Sequence, residues 1–111
     1  MPVRNFILKS DVSLQKILVY WRDIPAQVIV KKGRDRGKVI LSRRFQEAVD
    51  RAAMRAGKGG SDAYLADWRR ESTEITYEES PQSAAKKIAE ELERSFSDEN
   101  IKALIKNKGL K

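Results

Sequence analysis

The residues with the clearest chemical potential form a run of cations. Seven lysines and arginines fall within fourteen positions, and Asp35 is the one acidic residue among them: Lys31, Lys32, Arg34, Arg36, Lys38, Arg43 and Arg44. Such a cluster, at the end of a hairpin and the start of a helix, can bind phosphate groups with an affinity that falls as salt rises. Solvated surface charge is the simpler interpretation of the same residues, and we prefer it.

Residues 28–40, VIVKKGRDRGKVI, are also similar to the KOW motif of some ribosomal and transcription proteins. In that motif a basic turn that contains glycine follows a strand and contacts RNA, and the chain continues through the strands of a small barrel. Here a helix is predicted to begin near Arg43, so we interpret the similarity as local. Nucleic-acid binding by the cationic run is therefore our second hypothesis.

The sequence contains few residues of the types that commonly act in catalysis. The chain contains neither cysteine nor histidine, which excludes a cysteine nucleophile, a thiolate metal site and the commonest general base near neutral pH. The candidate carboxylates are Asp23, Asp50, Asp62 and Asp67. Their spacing matches neither a calcium loop nor a paired-carboxylate site. We therefore expect a protein that is not an enzyme, with no catalytic residue, no metal and no cofactor.

Residues 57–61, GKGGS, have some of the composition of a phosphate-binding loop. That loop requires a strand, then glycines ending in lysine and serine or threonine, then a helix. Here a helix is predicted before the glycines and the lysine is misplaced. The segment is better explained as a joint between two helices.

Composition bounds the class of protein. The chain has 111 residues, of which 41% are hydrophobic and 35% charged, and a formal net charge of +7. These values fit one small domain with a basic surface, so an anionic partner is favoured, either an acidic protein or a nucleic acid. No apolar run reaches the roughly 20 residues of a membrane span, and no secretory pattern precedes residue 15. We expect a cytoplasmic protein with no membrane partner and an undetermined oligomeric state.

The hydrophobic pattern predicts the elements. Residues 1–14 are interpreted as an N-terminal arm, and residues 15–111 as a single domain. Two strands, 16–22 and 27–32, are joined by turn residues 23–26 in a hairpin, and the first strand is apolar on both faces, as a central strand is. A helix follows Ser42, its expected N-cap, and ends at Gly57.

A shorter helix is predicted to follow residues 61–62, with Tyr64, Leu65 and Trp68 on one face. An alternating segment at 73–77 predicts a strand, and Ser80 with Pro81 predicts the start of the C-terminal helices, 81–108. The order ββααβαα indicates the α+β class, with a small mixed sheet opened by the hairpin and helices packed on one face. Trp21 and Trp68 are interpreted as core anchors in preference to base-stacking platforms.

Three blocks carry a resemblance to a known family. YWRDIPAQV at 20–28, RFQEAVDRAAMRAG at 44–57 and DAYLADWR at 62–69 resemble the bacterial domain family labelled virulence factor, named after conserved virulence factors of some Gram-positive bacteria. The resemblance covers residues 15–80. Some members carry this module beside an iron–sulfur scaffold-like domain and HEAT-type repeats, which implies an accessory or interaction role and no assigned catalytic residues.

Our first hypothesis is accordingly a non-enzymatic module of a bacterial cytoplasmic pathway that binds another protein. The expected partner surface is the hairpin turn, Asp23, Ile24 and Pro25, with the neighbouring helix starts.

Overall fold

The computed structural model describes residues 13–58, 60 and 62–111. In this part of the chain four strands and four helices follow one another: β1 (Ser13–Trp21), β2 (Ile24–Lys32), β3 (Asp35–Ile40), α1 (Arg43–Arg55), α2 (Asp62–Ala66), β4 (Trp68–Thr76), α3 (Pro81–Ser95) and α4 (Asp98–Lys106). The predicted α+β class is confirmed. Most of the expected N-terminal arm lies outside the described residues, but Ser13 and Leu14 already belong to β1, where Leu14 is 2% exposed.

The strands form one sheet in the order β3-β2-β1-β4. All three pairs are antiparallel, whereas the sequence analysis expected a mixed sheet. The central position predicted for β1 is confirmed, since β1 lies between β2 and β4. Antiparallel order follows from the short β1–β2 and β2–β3 connections, which leave no room for the crossover that parallel strands need.

The first hairpin turns earlier than the sequence suggested. The turn is formed by Arg22 and Asp23, with Arg22 at φ 54°, and Ile24 and Pro25 already belong to β2. The pairing of β1 with β2 shifts register between Val19 and Tyr20, opposite the start of β2. A proline is tolerated at a strand start or beside a bulge, because its missing N–H then interrupts no regular ladder.

Strand β3 was not predicted at all. The predicted order has no strand between the first hairpin and the helix after Ser42, but residues from Asp35 onward pair with β2 across a two-residue turn. Gly33 adopts φ +59° in that turn, a conformation that glycine reaches without steric cost. Asp, Lys and Gly are poor strand formers, so the strand depends on its pairing with β2 for stability.

One face of the sheet packs against helices α1 and α3, and α4 packs on α1. The alanine-rich stripes of α1 and α3 allow close contact with the sheet. The buried cluster comprises Leu14, Leu18, Trp21, Ile24, Val28, Val30, Leu41, Phe45, Ala48, Val49, Ala52, Ala53, Ala84, Ala85, Ala89, Ile101 and Leu104. The two helix ends predicted at Gly57 and Ser80 are confirmed, by a left-handed Gly57 and by a hydrogen bond from the Ser83 N–H to the Ser80 hydroxyl.

Trp21 is fully buried, and its Nε1–H donates to the Tyr64 carbonyl oxygen at 2.9 Å. Its interpretation as a core anchor is confirmed. Trp68 is half-buried and packs edge-on against the Tyr64 ring. It begins β4, however, and does not continue the helix predicted for it, because α2 ends at Ala66.

Candidate functional site

The β2–β3 hairpin brings together four of the seven cations in the sequence run. Lys31 of β2 lies opposite Arg36 of β3. Lys38, two residues after Arg36 on β3, lies opposite Ile29 of β2. Because side chains alternate along a strand, Lys31, Arg36 and Lys38 share one face of the sheet. Val28 and Val30, which pack on the helices, define the other face. Arg34 occupies the turn, and we call Lys31, Arg34, Arg36 and Lys38 the hairpin cations.

The hairpin cations are not neutralised within the described part of the chain. Arg34, Arg36 and Lys38 are exposed and Lys31 is half-buried. None of the four takes part in an ion pair there. Their mutual repulsion is tolerated because water screens it, and an anionic partner would relieve it. This surface can therefore hold carboxylates or phosphates.

Lys32 belongs to a different surface. It lies opposite Asp35, at the start of β3, on the face of the sheet that carries the helices. The sequence run therefore divides at the strand pleat, and only alternate residues reach the same face.

Arg43 and Arg44 are separated from the hairpin cations as well. Arg43 Nε lies 2.9 Å from Glu47 Oε1, one turn along α1. Arg44 Nη1 lies 3.2 Å from Asp98 Oδ1, and the guanidinium also stands 4.8 Å from the centre of the Phe45 ring. The Arg44–Asp98 pair ties the start of α1 to the start of α4, whereas the other two contacts lie within α1. They give Arg44 a structural explanation that does not require a ligand.

The hairpin turn expected to bind a partner is used inside the molecule. Ile24 is fully buried, and Pro25 is among the most deeply buried side chains. The Asp23 carboxylate accepts a hydrogen bond from Arg69 Nη2 at 3.2 Å and another from the Lys111 N–H at 2.8 Å. The Asp23 N–H donates to the Gly109 carbonyl oxygen at 2.8 Å. The turn therefore anchors the C-terminal segment and presents no apolar patch.

Asp67, one of the candidate carboxylates, is an acceptor for two cations. Lys58 Nζ lies 2.8 Å from Asp67 Oδ2, and Arg22 Nε lies 3.2 Å from the same oxygen. The Lys58 hydrogen bond, followed by that from Arg22, holds the pKa of Asp67 below its ordinary value. A carboxylate kept ionised between two cations is suited to structural pairing. Residues 13–58, 60 and 62–111 contain no group of three acidic side chains placed to hold a metal ion.

Two further charges were not singled out in the sequence. Arg70 and Glu74 lie on β4, on the face of the sheet that carries the hairpin cations, since they pair with Val19 and Gln15 of β1. Both are exposed. The sequence feature that could have identified these charges is the two-residue spacing of Arg70, Ser72 and Glu74. This spacing places all three on one face of the sheet once β4 is known to start at Trp68.

Among the described helices, none has the length and apolar character needed to span a membrane. The family model described as virulence factor matches residues 19–105. The match confirms the resemblance noted over residues 15–80 and extends it through most of the C-terminal helices. Comparisons with curated proteins and with solved structures gave no match.

Proposed function

This chain belongs to the virulence factor family, and we propose that it is a non-enzymatic accessory module of a bacterial cytoplasmic pathway that acts by binding another protein. The observation that carries the proposal is the set of hairpin cations. A surface with several unneutralised charges of one sign on paired strands favours a partner surface of the opposite sign. We therefore expect the partner to present carboxylates to this face.

The hairpin supports recognition as well as attraction. Lys31 and Arg36 are directly opposite one another, with Cβ atoms roughly 5 Å apart in such a pair, and Lys38 follows about 7 Å along β3. Backbone pairing fixes these positions, so less conformational freedom is lost on binding than from a mobile tail. Such rim charges mainly accelerate association and select the partner, while apolar contacts beside them supply affinity.

Ile40 is the apolar neighbour best placed for such contacts. It lies at the end of β3 on the same face as Lys38 and is 58% exposed. A large aliphatic side chain beside a row of cations matches the usual composition of an interface, in which a small apolar centre is surrounded by polar groups. We include Ile40 in the proposed contact surface.

Nucleic acid is the second candidate partner, and the alignment of Lys31, Arg36 and Lys38 on one face is the observation that favours it. Cations placed at regular intervals along a sheet can contact successive phosphates, which fixes the position of the strand without reading its sequence. Each phosphate contact would add roughly one unit to the slope of log affinity against log salt. A protein partner with a few carboxylates and an apolar centre would show a weaker dependence.

The decisive experiment compares two charge-reversal variants. Arg34→Glu/Arg36→Glu/Lys38→Glu reverses three of the four hairpin cations and leaves Lys31, while Arg51→Glu/Arg55→Glu/Lys86→Glu makes the same change in net charge on exposed helix residues. Wild type and both variants are used as bait in lysate of the producing bacterium with and without nuclease. The partner recovered is then purified, and its dissociation constant is measured for each variant.

The proposal expects a protein partner that survives nuclease, binds wild type and the helix variant alike, and binds the hairpin variant at least tenfold more weakly. Equal affinity for the hairpin variant would overturn the proposed surface. Recovery that disappears with nuclease, together with hairpin-dependent binding of a mixed-sequence RNA oligonucleotide, would replace the first candidate with the second.

A further inference from the structure

The two edges of the sheet differ in how they are protected. At the β3 edge, the Gln82 side chain of α3 forms two hydrogen bonds with the backbone of Lys38. The Lys38 N–H donates to Gln82 Oε1 at 3.0 Å, and Gln82 Nε2 donates to the Lys38 carbonyl oxygen at 3.3 Å. An amide side chain thereby occupies the donor and the acceptor that another strand would use.

The β4 edge has no such protection in the described part of the chain. β4 pairs with β1 on one side, and no described strand pairs with it on the other. The five residues from Arg70 to Glu74 are all exposed, so neither face of the strand centre is covered. In the described structure the nine residues of β4, extended and paired on one side only, form a template for adding a further strand.

The charges of β4 show which strand fits. Arg69 and Glu71 already pair with each other, and Arg69 also pairs with Asp23. Arg70 and Glu74, in contrast, enter none of the ion pairs among the described residues. They lie on the same face with Ser72 midway between them. A strand with the same sequence, running antiparallel and centred on Ser72, would place its own Glu74 opposite Arg70 and its own Arg70 opposite Glu74.

Several other registers place like charges opposite one another, and the register centred on Thr73, which opposes none, brings no Arg70 against a Glu74. Centring the pair on Arg70 places two arginines opposite one another, and centring it on Glu71 or Glu74 places two glutamates opposite one another. Directly opposed like charges destabilise a strand pair, while opposite charges stabilise it. The register centred on Ser72 places Ser72 opposite itself and forms both ion pairs.

We propose that β4 is a self-recognition edge: it pairs antiparallel with β4 of a second copy of this chain, in the register that sets Arg70 against Glu74 of the partner subunit. The two sheets then form one continuous sheet, with two equivalent ion pairs related by a two-fold axis through Ser72. Such an interface is isologous, since each copy contributes the same surface. The inference goes beyond the proposed function, because it uses the edge opposite to the hairpin.

Charge exchange at two positions tests the register. Arg70→Glu makes both cross-strand pairs glutamate against glutamate, and Glu74→Arg makes both arginine against arginine. The double variant Arg70→Glu/Glu74→Arg restores opposite charges in reversed positions. Sedimentation velocity measures the mass of the full chain and each variant over a range of protein concentrations, and circular dichroism verifies that each variant is folded.

We expect a concentration-dependent dimer for wild type, loss of the dimer in both single variants, and its recovery in the double variant. The Arg51→Glu/Arg55→Glu/Lys86→Glu variant serves as control and should dimerise as wild type does. A wild-type chain that is monomeric at every attainable concentration would overturn the proposal. So would a dimer that persists in the single variants, or a folded double variant that stays monomeric. Partner binding by the hairpin is measured separately from dimer formation by β4. Either proposal can therefore fail without affecting the test of the other.

Discussion

Gly109 lies against the indole ring of Trp21. A Cβ atom added at Gly109 would stand 2.9 Å from Trp21 Cζ3 and 3.2 Å from Cε3, and Gly109 itself has φ +88°. The ring cannot easily move aside, because it is fully buried and hydrogen-bonded to the Tyr64 carbonyl oxygen. The segment after α4 is thus fitted to the side chain that anchors the core.

Gly109→Ala should therefore destabilise the protein by more than backbone strain alone. The left-handed conformation costs a non-glycine residue about 1–2 kcal/mol, and overpacking against the ring adds about 1–3 kcal/mol. Gly57→Ala is the matched control, since Gly57 has φ +72° but no atom within 4 Å of the added Cβ. Urea unfolding of both variants measures the difference. Equal losses would show that the contact with Trp21 contributes nothing.

Gly37 permits a second close approach. A Cβ there would stand 2.4 Å from the Cα and the N of Gln82 and 2.5 Å from the carbonyl carbon of Pro81. These are backbone atoms in the first turn of α3, so Gly37→Ala must push that helix away from β3. We expect a loss of about 3 kcal/mol. Gly33 has φ +59° and open space around it, so Gly33→Ala should lower the free energy of unfolding only by the cost of backbone strain. Chemical denaturation of both variants measures this difference, and a Gly33→Ala loss as large as that of Gly37→Ala would contradict the steric explanation.

Asp67 should make stability depend on pH in the acid range. Its pKa is lowered in the folded protein by Lys58 and Arg22, so the unfolded chain takes up the proton more readily. The stabilisation is complete above the unfolded pKa of about 3.9 and is lost as the pH falls through the folded pKa. Asp67→Asn should cost about 1–2 kcal/mol at pH 7.

In urea unfolding experiments the difference between Asp67→Asn and wild type should stay constant from pH 7 down to about 4 and shrink as the pH is lowered further towards about 2. Asp50→Asn is the control, because Asp50 is exposed and enters no ion pair within the described residues. Its stability should follow that of wild type at each pH. A constant deficit for Asp67→Asn across the range would contradict the assigned role.

Ser80 caps α3, and its hydroxyl accepts a hydrogen bond from the Ser83 N–H at 3.2 Å. Ser80→Ala should lower the free energy of unfolding by about 1 kcal/mol, because one first-turn donor loses its partner. Ser80→Asp should retain most of the stability, since aspartate is an equally good cap. If thermal unfolding gives the same melting temperature for Ser80→Ala and Ser80→Asp, the result would argue against the capping role of Ser80.

Serine caps illustrate what sequence can and cannot predict. Ser42 and Ser80 precede their helices in the same way, and both occupy the cap position. The Ser42 hydroxyl, however, makes no cap and donates to Glu93 Oε1 at 2.9 Å. Its partner is 51 positions away, and no local pattern encodes such a contact.

The difference between local patterns and distant contacts also explains which helices and strands the sequence predicted. Apolar periodicity predicted α1, α3 and α4, because their stripes are long enough to define a face. It missed β3, since Asp35, Arg36 and Gly37 become a strand only through pairing with β2. It misplaced Trp68, whose spacing from Tyr64 suits a helix although the backbone is already extended. The sequence placed all seven cations in one run, but the strand pleat and the start of α1 at Arg43 separate the hairpin cations from Arg43 and Arg44, and Arg44 pairs with Asp98 across the fold.

The unequal protection of the two sheet edges limits how large an assembly can become. A sheet that is open at both edges adds copies without end and grows into a filament. In this molecule Gln82 occupies the middle of one edge, so within residues 13–58, 60 and 62–111 the proposed pairing uses the one strand edge left without such a contact, that of β4. Growth that begins at β4 uses up that edge in both copies at once. Under the proposed pairing, the two hydrogen bonds of Gln82 at the β3 edge would therefore favour a closed dimer over a filament.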